Sequence, residues 1–260
     1  AEYMGTLGQS QLRPSLLLKT QSAIEMEGSF LDLTLVPIGF ATMTAYHIWL
    51  LRQIIKHPTK TVIGINAINR EFWVRAMMED PGKNGVLSVQ TLRNNIMAST
   101  LLASTAITLS SVISVLMTSP SWSHSARTIV YGDRSEIGSS IKFISILVCF
   151  LVAFLLTVQS IRYYSHASIL INVPFKKQTA SRHRHLSPEY VTRCANRGGY
   201  CWSLGLRAFY FSFPLFMWMF GPIPMFVSSV LLVFALYLLD VVIDSADVSH
   251  ESDAVSLTPV

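Results

Sequence analysis

The chain has 260 residues, of which 51% are hydrophobic and only 13% are charged. Soluble domains usually carry about 25% charged residues, so this composition excludes an ordinary soluble enzyme or binding module. A formal net charge of +5 is typical of nucleic-acid binding or of contact with an anionic membrane surface, and the long apolar blocks favour the membrane.

Three apolar blocks follow the polar segment 1–29. The first runs from Phe30 to Leu51, the second from Ile96 to Met117 and the third from Ile141 to Ile161. Each block has about 20 residues, the length with which an α-helix crosses roughly 30 Å of hydrocarbon. The sequence therefore predicts three transmembrane helices in this part of the chain.

Two of these helices are predicted to extend beyond the bilayer. Neither glycine nor proline interrupts the segments 86–117 and 141–172, and each segment would form a helix about 48 Å long. A separate amphipathic helix is predicted over residues 61–78, where Asp80-Pro81-Gly82 ends it. Together these segments predict a small cytosolic layer of helices beneath the bundle.

The fourth apolar block, Leu206 to Leu239, is too long for one straight span. It contains Gly221-Pro222-Ile223-Pro224, and because both prolines lack a backbone donor, a fixed helix break is predicted there. The aromatic-rich part 209–220 fits either a half-helix at the interface or a segment packed against the bundle. The predicted fold is all-α, an integral membrane bundle of four transmembrane helices over residues 30–240, with five as the alternative.

The distribution of Lys and Arg predicts the orientation. Residues 52–93 hold seven of them and residues 162–207 hold eight, which is fifteen of the twenty in the chain. The positive-inside rule places both regions, predicted as loops 52–95 and 162–207, in the cytosol. The polar tail 1–29 and the acidic tail 241–260 are then both expected on the lumenal side, which requires an even number of spans.

Several motifs resemble those of a known family. They are Tyr46-His47, Asn69-Arg70-x-x-Trp73, Gln90-Thr91-Leu92-Arg93-Asn94, Arg197-Gly198-Gly199-Tyr200, the run from Leu204 to Leu215, and Gly221-Pro222-Ile223-Pro224. On these residues the chain resembles the plant membrane family catalogued as domain of unknown function 599. A further likeness, to a plant defence channel of the endoplasmic reticulum, implies a pentameric homo-oligomer that is permeable to calcium.

A stripe of hydroxyl groups marks the second predicted helix. At about 100° per residue, its members fall within about 80° of one another, and Ser114 flanks them. Hydroxyl oxygens can line a path for partly dehydrated cations, but small residues also let membrane helices pack closely, and both interpretations are open. The hydroxyl stripe consists of Thr100, Ser104, Thr108, Ser111 and Thr118.

Two acidic residues are candidates for ion selection. Asp32 is expected at the lumenal start of the first helix and Asp240 at the lumenal end of the fourth, so an oligomer would repeat each as a ring of carboxylates. Asp32 also fits a simple helix-terminal acid. The neighbouring acids fit either the same mouth or solvated tails: Glu25, Glu27, Asp244, Asp247, Glu251 and Asp253.

Signals for other kinds of site are weak. No G-x-S-x-G, H-E-x-x-H, P-loop or dinucleotide-binding pattern occurs, so no enzymatic activity is predicted. Cys149, Cys194 and Cys201 are expected to be free thiols, and no metal site or resident cofactor is predicted. The segment 182–185 (Arg-His-Arg-His) is interpreted as a basic patch, and His47 as part of an aromatic anchor or a pH-sensing gate.

Two functions therefore remain open. One is an oligomeric, calcium-permeable cation channel of a plant internal membrane, whose partners are the lipid bilayer and further copies of itself. A single bundle has too few helices to enclose an ion path, so self-association is part of this hypothesis. The other is a non-conducting membrane scaffold whose basic cytosolic loops bind partners or anionic lipid.

Overall fold

The structure, a computed structural model, describes residues 30–119, 136–173 and 187–241. These segments contain six α-helices and one short 3₁₀ helix, and no strand forms within them. The helices are α1 (Phe30–Lys56), the 3₁₀ helix Pro58–Lys60, α2 (Val62–Glu79), α3 (Pro81–Thr118), α4 (Glu136–Leu170), α5 (Pro188–Trp218) and α6 (Pro222–Asp240).

Four of the helices, α1, α3, α4 and α6, are long and apolar enough to cross a membrane. Large apolar side chains cover their outer faces, for example Leu33, Leu101 and Val115, which are 74%, 70% and 70% exposed. Water would not tolerate so much continuous apolar surface, whereas lipid does. The predicted all-α integral membrane bundle is therefore confirmed.

The long helices α3 and α4 extend well beyond a bilayer span, as predicted. They contain 38 and 35 residues, which gives lengths of about 57 and 53 Å. Helix α3 begins five residues earlier than its predicted start at Val86. Asp80 ends α2 and also caps α3, because its carboxylate accepts a hydrogen bond from the Lys83 amide, and Pro81 fits the first helical position.

Helix α4 is the centre of the bundle and runs antiparallel to both α3 and α5. On the α3 side, Ser99 pairs with Ser160 through their hydroxyl groups at 3.2 Å. On the α5 side, His166 contacts Tyr190, while Lys142 contacts Trp218 at the opposite end of both helices. The predicted layer of helices is formed by α2 together with the ends of α3, α4 and α5 that pack against it, with Val74, Leu92, Tyr164 and Val191 in its core.

Helix α5 differs most from the sequence prediction. Residues 188–207 were predicted as part of a loop, but they form the first two thirds of a 31-residue helix. Glycines let α5 approach α4 closely: a Cβ atom at Gly198 would lie 3.0 Å from the Tyr164 ring, and one at Gly205 would lie 3.0 Å from Thr157 Cγ2. The Ser160 hydroxyl also donates to the Gly198 carbonyl at 2.9 Å.

The second half of α5 runs through the bundle, although α5 is not among the four helices that are long and apolar enough to cross a membrane. Trp218, at its end, contacts Asp32 at the start of α1, whereas Arg207, eleven residues earlier, contacts Asp240 at the end of α6. Helix α6 then runs back along α5, so α5 and α6 form a hairpin that spans the bundle. Together with α1, α3 and α4, five helical segments therefore run from one end of the bundle to the other, an arrangement that fits the alternative of five passes.

Asp32 and Asp240 therefore lie at opposite ends of the bundle, called here the Asp32 end and the Asp240 end. The prediction that both acids share one mouth is therefore wrong. The physical reason is the composition of α5, whose three arginines (Arg193, Arg197 and Arg207) lower its hydropathy below that of a span. The side on which each tail leaves stays a prediction, because residues 1–29 and 242–260 lie outside the described segments. An isolated bridge between Thr61 and Val241 also ties the chain after α6 to the α1–α2 connection.

The predicted break at residues 221–224 is confirmed. Helix α5 ends at Trp218, and Gly221 has a φ angle of 146°, a region that only glycine adopts without strain. Pro222 and Pro224 then occupy the first turn of α6, where a missing backbone donor costs nothing because those N–H groups have no partner inside the helix.

Candidate functional site

Asp240 belongs to a buried ion pair that joins three helices. The Arg207 guanidinium donates to one carboxylate oxygen at 2.6 Å, and the Tyr46 hydroxyl donates to the other at 2.7 Å. The side chains of Arg207 and Asp240 are each only 11% exposed. Because both carboxylate oxygens are occupied and a cation already neutralises them, Asp240 holds α1, α5 and α6 together.

Asp32 also takes part in contacts between helices. The indole N–H of Trp218 donates to its carboxylate at 2.9 Å, which joins α1 to α5. The buried ammonium group of Lys142, on α4, lies 5.5 Å from the centre of the same indole ring. Trp218 therefore contacts both the Asp32 carboxylate and a positive charge, and that charge opposes the cation-concentrating field that a ring of such carboxylates would create.

The hydroxyl stripe lies on the outer surface of the protomer. All five of its residues are exposed, and they cover about 27 Å along α3, close to the thickness of the hydrocarbon layer. The opposite side of α3 carries the residues that pack inside the bundle, among them Ser99, Ala106 and Ile113. The stripe is thus not used to pack α3 against its own chain.

Four of the five hydroxyl groups of the stripe are held in one orientation by their own helix. Four of them donate their proton to the backbone carbonyl four residues earlier at 2.9–3.0 Å: Thr100, Thr108, Ser111 and Thr118. A hydroxyl whose proton is used in this way presents only oxygen lone pairs to its surroundings. The stripe is therefore a row of acceptors, which suits cations and disfavours anions.

A cavity of about 320 Å³ opens beside the Arg207–Asp240 pair. It is called here the basic cavity, and it lies where the layer of helices around α2 meets the apolar part of α6. Arg70 and Arg207 supply its positive charge, and four aromatic side chains share its wall. Its lining residues on α2, α3 and α4 are Val62, Ile63, Asn66, Arg70, Asn95 and Tyr164, and α5 and α6 contribute Gly199, Tyr200, Trp202, Ser203, Leu206, Arg207, Tyr210, Leu236, Leu239 and Asp240.

Sequence reasoning assigned no role to Arg70 or Arg207, although both stand in the motifs that carry the family resemblance. The sequence does contain an indication of their importance, because each arginine stands close to apolar or small residues, where a solvated charge is not expected. What the sequence did not show is that Gly199 lies directly against Arg70, a contact between residues more than 120 positions apart.

The other predicted residues show less chemistry. His47 lies between α1 and α5, where its Nδ1 contacts the Met43 carbonyl at 2.8 Å and its ring contacts Phe211. Cys149, Cys194 and Cys201 are free thiols, as expected, and burial raises the pKa of the Cys201 thiol. Among the described residues no group of three or more His, Cys, Asp or Glu side chains could hold a metal ion. The basic patch 182–185 and the acids of both tails lie outside these residues.

The fold and these sites define an all-α integral membrane bundle with a basic helical layer at one end. A sequence model of the family described as "Protein of unknown function, DUF599" matches residues 34–245. The chain therefore belongs to this family, in agreement with the motifs found in the sequence. Neither the curated proteins nor the solved structures include a match to the chain.

Proposed function

We propose that this protein is the subunit of an oligomeric cation channel, in which the hydroxyl stripe of α3 faces the ion path. The observation that carries the proposal is the row of exposed acceptor oxygens along about 27 Å of a membrane-crossing helix. Oxygen lone pairs replace part of the hydration shell of a cation, as in other selective pores. Such a row on an exposed helix face also fits close packing against a helix of another copy, which an oligomer would provide.

The path in this proposal runs between copies of the protein. Within the described residues, apolar clusters fill the bundle interior: Ile146, Phe150 and Leu215 lie in one of them, and Tyr46, Leu50 and Leu236 in another. Ions do not cross such packed interiors. Several copies arranged around an axis would bring their α3 helices together and enclose a path lined by hydroxyl groups.

The finer parts of the proposal rest on the further likeness to a plant defence channel, and not on membership of the family. They are calcium as a permeant ion, five subunits, a role in plant defence and location in the endoplasmic reticulum. The orientation rests on charge. Lysines and arginines of α2 and of the adjoining helix ends gather at the Asp240 end, among them Arg52, Lys56, Lys60, Arg75 and Arg93. The positive-inside rule favours this end for the cytosol and the Asp32 end for the lumen.

A non-conducting scaffold is the second candidate, and one observation favours it. The cytosolic layer exposes large apolar side chains, including Phe72, Val86 and Ile169, which are 67%, 86% and 71% exposed. Exposed apolar groups outside a bilayer span are typical of surfaces that bind other proteins. Such a scaffold would need neither a central path nor a fixed number of copies.

Bilayer recording separates the two candidates. The purified full chain is reconstituted into planar bilayers, after its oligomeric state has been measured by mass photometry in the same lipid. The channel proposal expects a closed oligomer and a current carried by calcium and potassium. Intact protein that is monomeric, or oligomers that pass no current under either gradient, would favour the scaffold.

A further inference from the structure

The basic cavity contains one positive charge that no carboxylate of the described residues neutralises. The Arg207 charge is balanced by Asp240, but Arg70 donates only to the neutral Asn196 side chain, at 2.7 Å, and pairs with no carboxylate among the described residues. Arg207 also keeps one buried guanidinium nitrogen, Nη1, without a hydrogen-bond partner in the described segments. The cavity thus presents a net charge of about +1 and a free donor, a combination that suits an anion.

Neighbouring residues hold Arg70 at the wall of the cavity. Asn196 accepts its hydrogen bond and in turn donates to the Ala67 carbonyl at 3.3 Å. The guanidinium lies directly on Gly199, where a Cβ atom would come within 2.6 Å of both of its terminal nitrogens. A glycine is needed at this point for Arg70 to reach the cavity, so the charge is positioned by two helices, α2 and α5.

The lining of the cavity is amphipathic, and this decides the kind of anion. Asn66, Asn95 and Ser203 add polar groups near the two arginines, while Leu206 and Leu239 form an apolar side. Leu239 is 66% exposed at the outer surface of α6, where lipid chains surround the span. A ligand that fills this site has a charged head and an apolar body.

We propose that the basic cavity binds the headgroup of an anionic phospholipid, with its phosphodiester at Arg70 and Arg207 and its acyl chains along Leu206 and Leu239. A single negative charge matches the net charge of the site, and a hydroxylated headgroup such as inositol matches the amide and hydroxyl groups around it. The cavity lies at the boundary between the apolar span of α6 and the basic layer, which is the level of lipid phosphates. This inference does not depend on ion conduction.

Lipid retention tests the proposal. The full chain is reconstituted in phosphatidylcholine nanodiscs with and without phosphatidylinositol, and bound lipid is measured by native mass spectrometry after transfer to detergent. The wild type is expected to retain phosphatidylinositol in preference to phosphatidylcholine. Equal retention of both lipids would overturn the proposal.

Two variant pairs locate the site. Arg70→Gln is expected to lower phosphatidylinositol retention about tenfold, because it removes a charge-assisted hydrogen bond. Its control, Arg75→Gln on the same helix, removes an exposed arginine that does not line the cavity and should change nothing. Asn66→Asp adds a carboxylate to the cavity lining, one helical turn before Arg70, and removes none of the Arg70 hydrogen bonds. It neutralises the site while the arginine stays in place, so it tests the site even if Arg70→Gln fails to fold. Its matched control is Asn69→Asp, an exposed position outside the cavity.

The results distinguish lipid from other sources of phosphate. Glycerophosphoinositol, the same headgroup without acyl chains, is expected not to displace the lipid at equal concentration. Displacement by it would assign the site to a soluble phosphate ester and overturn the lipid proposal. Equal losses in Asn66→Asp and Asn69→Asp, or in the two arginine variants, would show a diffuse basic surface and overturn the site itself.

Discussion

The ion pair with Arg207 gives Asp240 a different role from the one that its position at the end of a membrane helix predicts. A carboxylate at the end of a membrane helix was expected to attract ions, but it is occupied by a guanidinium and a phenol hydroxyl. The desolvation of both charges is offset only while the pair stays intact. Asp240 is therefore a structural residue, and its substitution is expected to affect stability first.

Asp240→Asn is expected to destabilise the fold by about 3 kcal/mol, because it leaves Arg207 buried without a counter-charge. Thermal unfolding in one detergent measures the effect. Tyr46→Phe removes only a hydrogen bond and should cost about 1 kcal/mol. Glu71→Gln, in the exposed pair with Arg75, serves as the control and should cost less than about 1 kcal/mol. Equal losses in Asp240→Asn and Glu71→Gln would contradict the structural interpretation of the pair.

Asp32→Asn tests whether the Asp32 carboxylate contributes to the selection of ions. The carboxylate is engaged by Trp218 and lies near Lys142, so its loss is expected to leave the calcium-to-potassium permeability ratio of the reconstituted protein almost unchanged. Reversal potentials under both gradients measure this ratio. A clear fall in relative calcium permeability, with the oligomer intact, would return Asp32 to the ion path.

At the scale of helices, the α5–α6 hairpin depends on one glycine. Gly221→Ala is expected to cost about 1–3 kcal/mol, because alanine at a φ angle of 146° is strained whatever space surrounds it. Gly82→Ala is the control, because Gly82 lies in the first turn of α3 and a Cβ atom there would lie 3.5 Å from its nearest neighbour, an Asp80 oxygen. A change in the free energy of unfolding within about 0.5 kcal/mol is expected. Unfolding in detergent compares the two. A loss at Gly82 as large as that at Gly221 would contradict the backbone explanation.

Most helices could be predicted from the sequence because each carries a local signal. The apolar blocks of α1, α3 and α4 mark spans, and the Gly-Pro sequence at 221–224 marks the break. Helix α5 lacks such a signal: its arginines read as a loop, and its burial comes from glycine contacts with α4 and α2 that join distant residues. The same long-range contacts decide where Asp240 lies and what surrounds Arg70. The placement of Asp32 and Asp240 at opposite ends of the bundle and the basic cavity could therefore not be predicted from the sequence.

The two ends of the whole molecule are expected on opposite sides of the membrane, and cysteine labelling can test this orientation. We expect single cysteines at Asp80 and Val241, in a background without the native cysteines, to react with a membrane-impermeant maleimide from the cytosolic side. A cysteine at Phe30 should react from the opposite side, because Trp218 and Asp32 mark the other end of the bundle. Sealed vesicles of both orientations provide the comparison. Labelling of Phe30 and Val241 from one side would contradict the arrangement of five passes.

The most direct test of the channel proposal compares two threonines of α3 that differ in the face they occupy. Thr108 belongs to the exposed hydroxyl stripe, whereas Thr105, half-buried, makes the same kind of bond to a backbone carbonyl, at 2.8 Å, on another face. The measurement is the reversal potential and conductance of the reconstituted oligomer in a potassium chloride gradient, for the wild type, Thr108→Val and Thr105→Val. The account predicts cation-selective current in the wild type, lower conductance in Thr108→Val and no change in Thr105→Val. Anion-selective current, or an equal effect of both substitutions, would contradict it.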